Sequence, residues 1–278
     1  MAPDETSLHT QQDPRSWEVD PSAPVITPEA ALSYYARLMG ESADITLPDL
    51  LVATFQSTAL RHMAGLIGTE VVDRWPTPIF WPLARARFQG RQMAIARLPV
   101  GAPAAAAALE LMIAAGVRTA VLVGAVGSLQ PDLHTGSLVI ATRAIRSEGT
   151  SYHYLPAGDA SDPSEELVDA LASAASAQKV RVTTGSVWTT DAPYRECAAT
   201  IARLKGEGVL GVEMEAAALF AVSRHRGARS ALIAAVSDEL GDEWNPGFHT
   251  LAYQRAILTA AGIALEAASR IPDSDLGA

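Results

Sequence analysis

Two carboxylates stand close together in GVEMEAAALF, where Glu213 and Glu215 bracket Met214 directly ahead of an Ala-rich run suited to tight burial. Burying ionised groups without partners is expensive, so the pattern asks what their partners are. A second acidic cluster, Ser237-Asp238-Glu239, closes the apolar run ALIAAV. A third polar cluster, GAVGSLQPDLHTG, follows TAVLV, and its Gly124 and Gly127 would let backbone approach a ligand closely. Two acidic groups in one crevice suit chemistry on a neutral polyhydroxylated ligand. One carboxylate accepts hydrogen bonds from sugar hydroxyls, and another, kept protonated by burial, donates a proton to a leaving group. Each cluster also has a plainer explanation. The glutamates can serve the first turn of a helix, Ser237 and Asp238 can cap one, and the glycines can be needed only for a turn.

The elements that must position these residues follow an α/β pattern. Thr27-Pro28-Glu29 reads as an N-cap, a proline at N1 and an acidic first turn, opening a helix to about Met39. Apolar strand-like runs such as LVATF, RQMAIARLPV and TAVLVG then alternate with Ala-rich helical stretches. Later strands are expected at Ser137 to Ile145, Lys179 to Val187, Gly208 to Val212 and Arg229 to Ser237, with helices from about Glu165 to Ala177, Glu215 to Arg224 and Thr250 to Ser269. In a doubly wound sheet, ligands collect outside the carboxyl ends of strands. All three clusters fall at such ends. The fold class expected is α/β: one three-layer α/β/α domain over residues 27–270, with a tail at 1–26 and another at 271–278.

Composition narrows the function. The 278-residue chain is 49% hydrophobic and 19% charged, with net charge −10, so it has the makings of one large core and no basic footprint for nucleic acid or an anionic membrane. No apolar run reaches membrane-spanning length. The single Cys197 excludes an internal disulfide and reads as a small hydrophobe rather than a nucleophile. The N-terminal stretch lacks the basic-then-apolar order of a secretory signal, so a cytoplasmic protein is expected. None of the six His residues shows metal spacing, and neither metal nor organic cofactor is expected. The glycine cluster lacks the G-x-G-x-x-G order of a dinucleotide fingerprint.

The stretches VLVGAVGSLQPDLHTGSLVIATRAIRSEGTSYHYLP, SVWTTDAPYRE and GVLGVEMEAAALFAVSRHRGARSALIAAVSD, in this order, resemble the nucleoside phosphorylase family of hexameric purine nucleoside phosphorylases, uridine phosphorylases and methylthioadenosine nucleosidases. The resemblance covers about Leu51 to Ala268 and implies a mixed, partly barrel-like sheet. It implies that Met214 and Glu215 hold ribose, with Glu213 and Val212 beside them and Gly127 in the same substrate-binding set. Asp238, with Ser237 as its helper, is implied to protonate or hydrogen-bond N7 of a purine. Pro193 and Tyr194 fall where the family sets an aromatic pair against the base, and Arg195 would also allow contact with a pyrimidine carbonyl. The family default is cleavage of a nucleoside by phosphate, without cofactor, in a homo-dimer or hexamer.

The departures concern phosphate. Phe55 and Ala59 stand near the Gly and Arg of the family's N-terminal phosphate loop, and Leu122 and Ala125 replace an Arg and a Ser/Thr of the central glycine loop. Charge-assisted Arg contacts supply much of the hold on phosphate. Either Arg61, Arg97 or Arg146 substitutes, with Gly124 and Ala125 contributing, or the acceptor is water. Arg146 can equally pair with Glu148. His62 and His153 are further candidates for a 5′-hydroxyl contact.

Overall fold

A computed structural model describes residues 19–38, 46–69, 83–241 and 243–272. The N-terminal tail expectation falls largely outside the described residues. At the C-terminus the packed body reaches Ile271, which is buried and accepts Arg91 Nε at 3.2 Å on its carbonyl oxygen.

Among the described residues the strands are β1 (Leu50–Thr54), β2 (Leu83–Phe88), β3 (Arg91–Arg97), β4 (Thr119–Ser128), β5 (Leu138–Ser147), β6 (Thr183–Thr190), β7 (Gly211–Glu213), β8 (Arg229–Leu240) and β9 (Trp244–Pro246). The helices are α1 (Pro28–Leu38), α2 (Ser57–Ile67), α3 (Ala102–Ala114), α4 (Glu165–Ala177), α5 (Ala198–Gly206), α6 (Ala216–His225) and α7 (Leu251–Ser269). The sheet runs β2-β3-β1-β4-β7-β6-β5-β8-β9, with β4 also paired to β8. That extra pairing closes β4, β7, β6, β5 and β8 into a ring. The mixed, partly barrel-like sheet is therefore present.

The apolar content explains the layers. One core joins α1, α3 and α6 to one face of the sheet, through Leu109, Leu122 and Phe220. The other joins α2, α4 and α7 to the opposite face, through Met63, Leu171 and Ile257. A smaller cluster of Leu129, Trp188, Leu204, Val212 and Leu240 fills the end of the ring under α5. β1 is buried along its whole length, as a strand covered on both faces must be.

Several boundaries differ from the sequence pattern for physical reasons. Lys179 adopts φ 58° and the Val180 N–H still bonds the Ala175 carbonyl, so the chain completes the end of α4 before β6 begins at Thr183. Gly208, with φ 78°, does the same after α5 and shortens β7 to Gly211–Glu213. β8 runs past Ser237 to Leu240, so Asp238 lies inside a strand and caps no helix. Gly124 and Gly127 likewise lie within β4 rather than in a turn.

The β8–β9 hairpin returns through Gly247, whose N–H bonds the Ser237 carbonyl at 2.9 Å. A Cβ there would sit 2.3 Å from Thr135 Cγ2 and 2.7 Å from the Ser237 carbonyl oxygen. Gly247→Ala is expected to cost about 1–3 kcal/mol and lower Tm by several degrees, measured by calorimetry. An unchanged Tm would mean that the hairpin yields without strain.

Candidate active site

A cleft of about 790 Å³ opens at one end of the ring. At its inner end the chain leaves β7 and enters α6, and the local sequence decides how. Glu213 is buried, and its Oε2 accepts the backbone N–H groups of Glu215 and Ala216, each at 2.7 Å. Its Oε1 accepts the Thr189 hydroxyl from β6 in a very short hydrogen bond, and Thr189 Oγ1 in turn accepts the Ala217 N–H at 3.0 Å. Glu213 thus satisfies donors at the start of α6, which helix termini leave unpaired. Its carboxylate is committed to the fold.

Glu215 is held differently. Its Oε1 accepts the backbone N–H of Gly101 at 2.6 Å. Gly101 is the N-cap of α3 and takes φ 97°, a conformation that favours glycine. Glu215 therefore joins the N-termini of α6 and α3. Burial pushes its carboxyl above the usual glutamate range, and the neighbouring Glu213 pushes it further. Glu213 is raised by burial too, against the pull of its hydrogen-bond donors.

The outer end of the cleft is built on β8. Asp238 Oδ1 accepts the Ser237 hydroxyl at 2.7 Å and Oδ2 accepts Trp244 Nε1 from β9 at 2.8 Å. Gly127 of β4 lies between the two ends, in register with Val212 on one side and Asp238 on the other. A Cβ on Gly127 would meet Leu240 at 2.6 Å and both Val212 and Asp238 at 3.3 Å, so this glycine keeps the floor open. Glu196, at the end of the Pro193–Arg195 turn, lines the same cleft, and burial with the charge of Asp238 pushes its carboxyl up to about 7.

Of the residues singled out by sequence, Ala125, Gly127, Pro193, Tyr194, Val212, Glu213, Met214, Glu215, Ser237 and Asp238 all line this cleft. Gly124, Arg195 and Arg146 are not among its lining residues. Arg146 is engaged elsewhere: its guanidinium donates to Ser151 Oγ and to the carbonyls of Leu155, Pro156 and Asp159, with its carbon 4.1 Å from the centre of the Tyr152 ring. Cys197 is exposed at the N-cap of α5 rather than buried. Phe55 and Gln56 line the inner end beside Ala125, while Ala59 and Leu122 are core residues. Sequence reading missed Glu196, Val100, Trp244 and Phe248. Only the nearness of Glu196 to the Pro193-Tyr194-Arg195 segment could have drawn attention to it.

A model of the phosphorylase superfamily matches residues 63–269. The chain belongs to that superfamily. Among superfamily relatives, it is 31% identical over 160 residues to a guanosine phosphorylase of Halorubrum lacusprofundi, covering 58% of this chain and 66% of that protein. It is 30% identical over 216 residues to a DeoD-type purine nucleoside phosphorylase of Proteus mirabilis, covering 73% and 83% of the two chains. It is 24% identical over 201 residues to the uridine phosphorylase of Escherichia coli, covering 67% and 79%. The crystal structure of uridine phosphorylase from Vibrio fischeri shares the fold, with TM-score 0.70 at 22% identity over 80% of this chain and 92% of that one.

The raised carboxyl of Glu215 makes stability depend on pH. The folded chain keeps a proton that the unfolded chain has already released, so the folded state loses stability as pH rises from the ordinary glutamate value through the raised one. Glu215→Gln removes this term and keeps the contact to Gly101. The variant is expected to gain about 1 kcal/mol on the wild type, roughly 2–4 °C in Tm, between pH 5 and pH 8. A variant that loses ground over that interval would show that the buried charge is fully compensated.

Proposed function

We propose that this superfamily member cleaves the N-glycosidic bond of a purine nucleoside, with phosphate as the acceptor, to give free base and ribose 1-phosphate. The observation that carries the reading is the placement of Glu215. One of its oxygens is fixed by the Gly101 N–H, and its carboxyl faces the cleft beside Met214. The hydroxyls of a vicinal diol bring this buried acid the donors it lacks, and those donors favour its ionised, doubly accepting form. In the reaction the bond from C1′ to the base nitrogen breaks and its electron pair leaves with the base. The sugar passes through an oxocarbenium-like state, and a phosphate oxygen bonds to C1′. Asp238, near the floor at Gly127, assists at N7 of the departing purine. The names of the relatives, which include guanosine, uridine and purine nucleoside phosphorylases, support the reaction class.

Among the described residues, the cleft lining contains Glu196, Glu213, Glu215 and Asp238 but no Arg, Lys or His. That observation favours a second reading, hydrolysis by water. Of the three substitute arginines, Arg61 is exposed on α2 and Arg146 is occupied by loop carbonyls. Arg97 pairs in register with Thr54, just before the Phe55–Gln56 corner, and its Nε is buried without a hydrogen-bond partner. We therefore place phosphate on the Arg97 side of the cleft. We also read the protein as a cytoplasmic homo-oligomer, at least a symmetric dimer, which light scattering at working concentration would test.

A nucleoside panel with and without phosphate, followed by chromatography of free base and ribose 1-phosphate, separates the two acceptors. Phosphorolysis is expected, and ribose release independent of phosphate would replace it with hydrolysis. Glu215→Gln should lose about 10²-fold or more in kcat/KM. Asp238→Asn should slow inosine or adenosine by roughly 10²–10⁴-fold but 7-methylguanosine, whose N7 is already substituted and cationic, far less. Equal losses on both substrates would make Asp238 a structural residue.

A further inference from the structure

We infer that Glu196 is the specificity residue for the base and selects a 2-amino-6-oxopurine by accepting its N1–H and 2-amino hydrogens on one carboxylate. The inference rests on the nucleoside-cleaving reading of this cleft. Three observations support it. First, Glu196 lines the cleft from the β6–α5 connection, on the Asp238 side rather than at the ribose-binding Glu215. Second, the other carboxyls have places of their own: Glu213 caps α6, Glu215 is held by Gly101 at the ribose end, and Asp238, whose oxygens accept Ser237 and Trp244, is the group assigned to N7. Third, no hydrogen bond or ion pair within the described protein engages the Glu196 carboxyl, although burial and Asp238 disfavour its charge. A group in that position gains most from a ligand that brings donors.

The chemistry of the bases then decides. An ionised carboxylate has acceptors only, and its two oxygens best meet two adjacent N–H donors. Guanine presents such a pair at N1 and the 2-amino group. Adenine sets its amino donor beside the N1 acceptor, and uracil flanks N3–H with two carbonyls, so each places an acceptor against a carboxylate oxygen. Hypoxanthine offers N1–H alone on that side. When Glu196 is protonated it has one donor and one acceptor, which suit the O6 and N1–H of hypoxanthine and guanine alike. Because its carboxyl sits near 7, the preference for guanosine over inosine should open as pH rises through that value. The charged group acting on Glu196 is Asp238 on β8; Tyr194, Arg195 and Cys197 are its neighbours along its own loop, and Glu213 and Glu215 lie at the ribose end. The ribose-end groups act on both substrates equally and cancel in the ratio.

The test is kcat/KM for guanosine, inosine and adenosine from pH 6 to 8.5, for wild type, Glu196→Gln and Glu196→Ala. Wild type is expected to favour guanosine over inosine by roughly 10- to 100-fold at pH 8 and by much less at pH 6. In both variants the ratio should collapse to within about threefold and lose its pH dependence, because guanosine loses more than inosine does. A guanosine-to-inosine ratio unchanged in the variants would overturn the assignment, and equal loss on all substrates would make Glu196 a structural residue. If wild type cleaves none of the three, the catalytic reading fails, and calorimetric binding of guanosine and inosine to wild type and Glu196→Gln still decides whether Glu196 reads the base.

Discussion

The structure of the cleft depends on where the donors around Glu213 go. Helix α6 starts in the core, directly behind a strand of the ring, where water cannot satisfy its first N–H groups. Glu213 supplies the acceptors, and Thr189 of β6 ties the same carboxylate to the neighbouring strand while capping the Ala217 N–H. One carboxylate therefore fixes the end of β7, the start of α6 and their offset from β6. With that offset fixed, Met214 and Glu215 have little freedom, and Glu215 reaches the start of α3 at Gly101.

This arrangement concentrates negative charge in a confined space and offsets it unevenly. Glu213 and Asp238 receive donors from the protein, whereas Glu215 has one and Glu196 has none among the described residues. The unevenness separates Glu213, which is spent on the start of α6, from Glu215 and Glu196, whose oxygens a ligand can still engage. Between the two ends the floor is Gly127, with Val212 and Leu240 beside it, so the acids do not merge into one cluster. A ligand that bridges the ends must be polar at both and flat or apolar in the middle.

Much of this was legible in the sequence, and the residues show where legibility ended. The sequence pattern places α1, α4, α6 and α7 closely, and the cap read at Thr27 is real, since its hydroxyl oxygen accepts the Ala30 N–H. The glutamate pair was placed at the junction of β7 and α6, and the helix-start explanation holds for Glu213 although not for Glu215. What separates them is Gly101, a partner 114 positions away that no local pattern announces. The apolar run ends at Ser237, and a strand read from that run ends there too. Pairing with β4 and β9 carries the strand on through Asp238 and Glu239, a tertiary effect that also brings in Trp244. Glu196 carries no local signal, because what marks it is a shared cleft with Asp238 of β8, far along the chain.

Ring closure has a consequence for how copies of this chain meet. A nine-stranded open sheet would expose long unpaired backbone, but here β4 pairs with β1, β7 and β8, and among the described residues the margins of the sheet are β2 and β9. β9 is three residues long and ends in Pro246, which has no N–H to offer an incoming strand. β2 displays Arg85 and Arg87 on its exposed side, so a second β2 laid against it would bring like charges face to face. Both margins therefore resist the strand-to-strand annealing that leads to fibrous aggregation, even though the sheet they border is among the most apolar parts of the molecule.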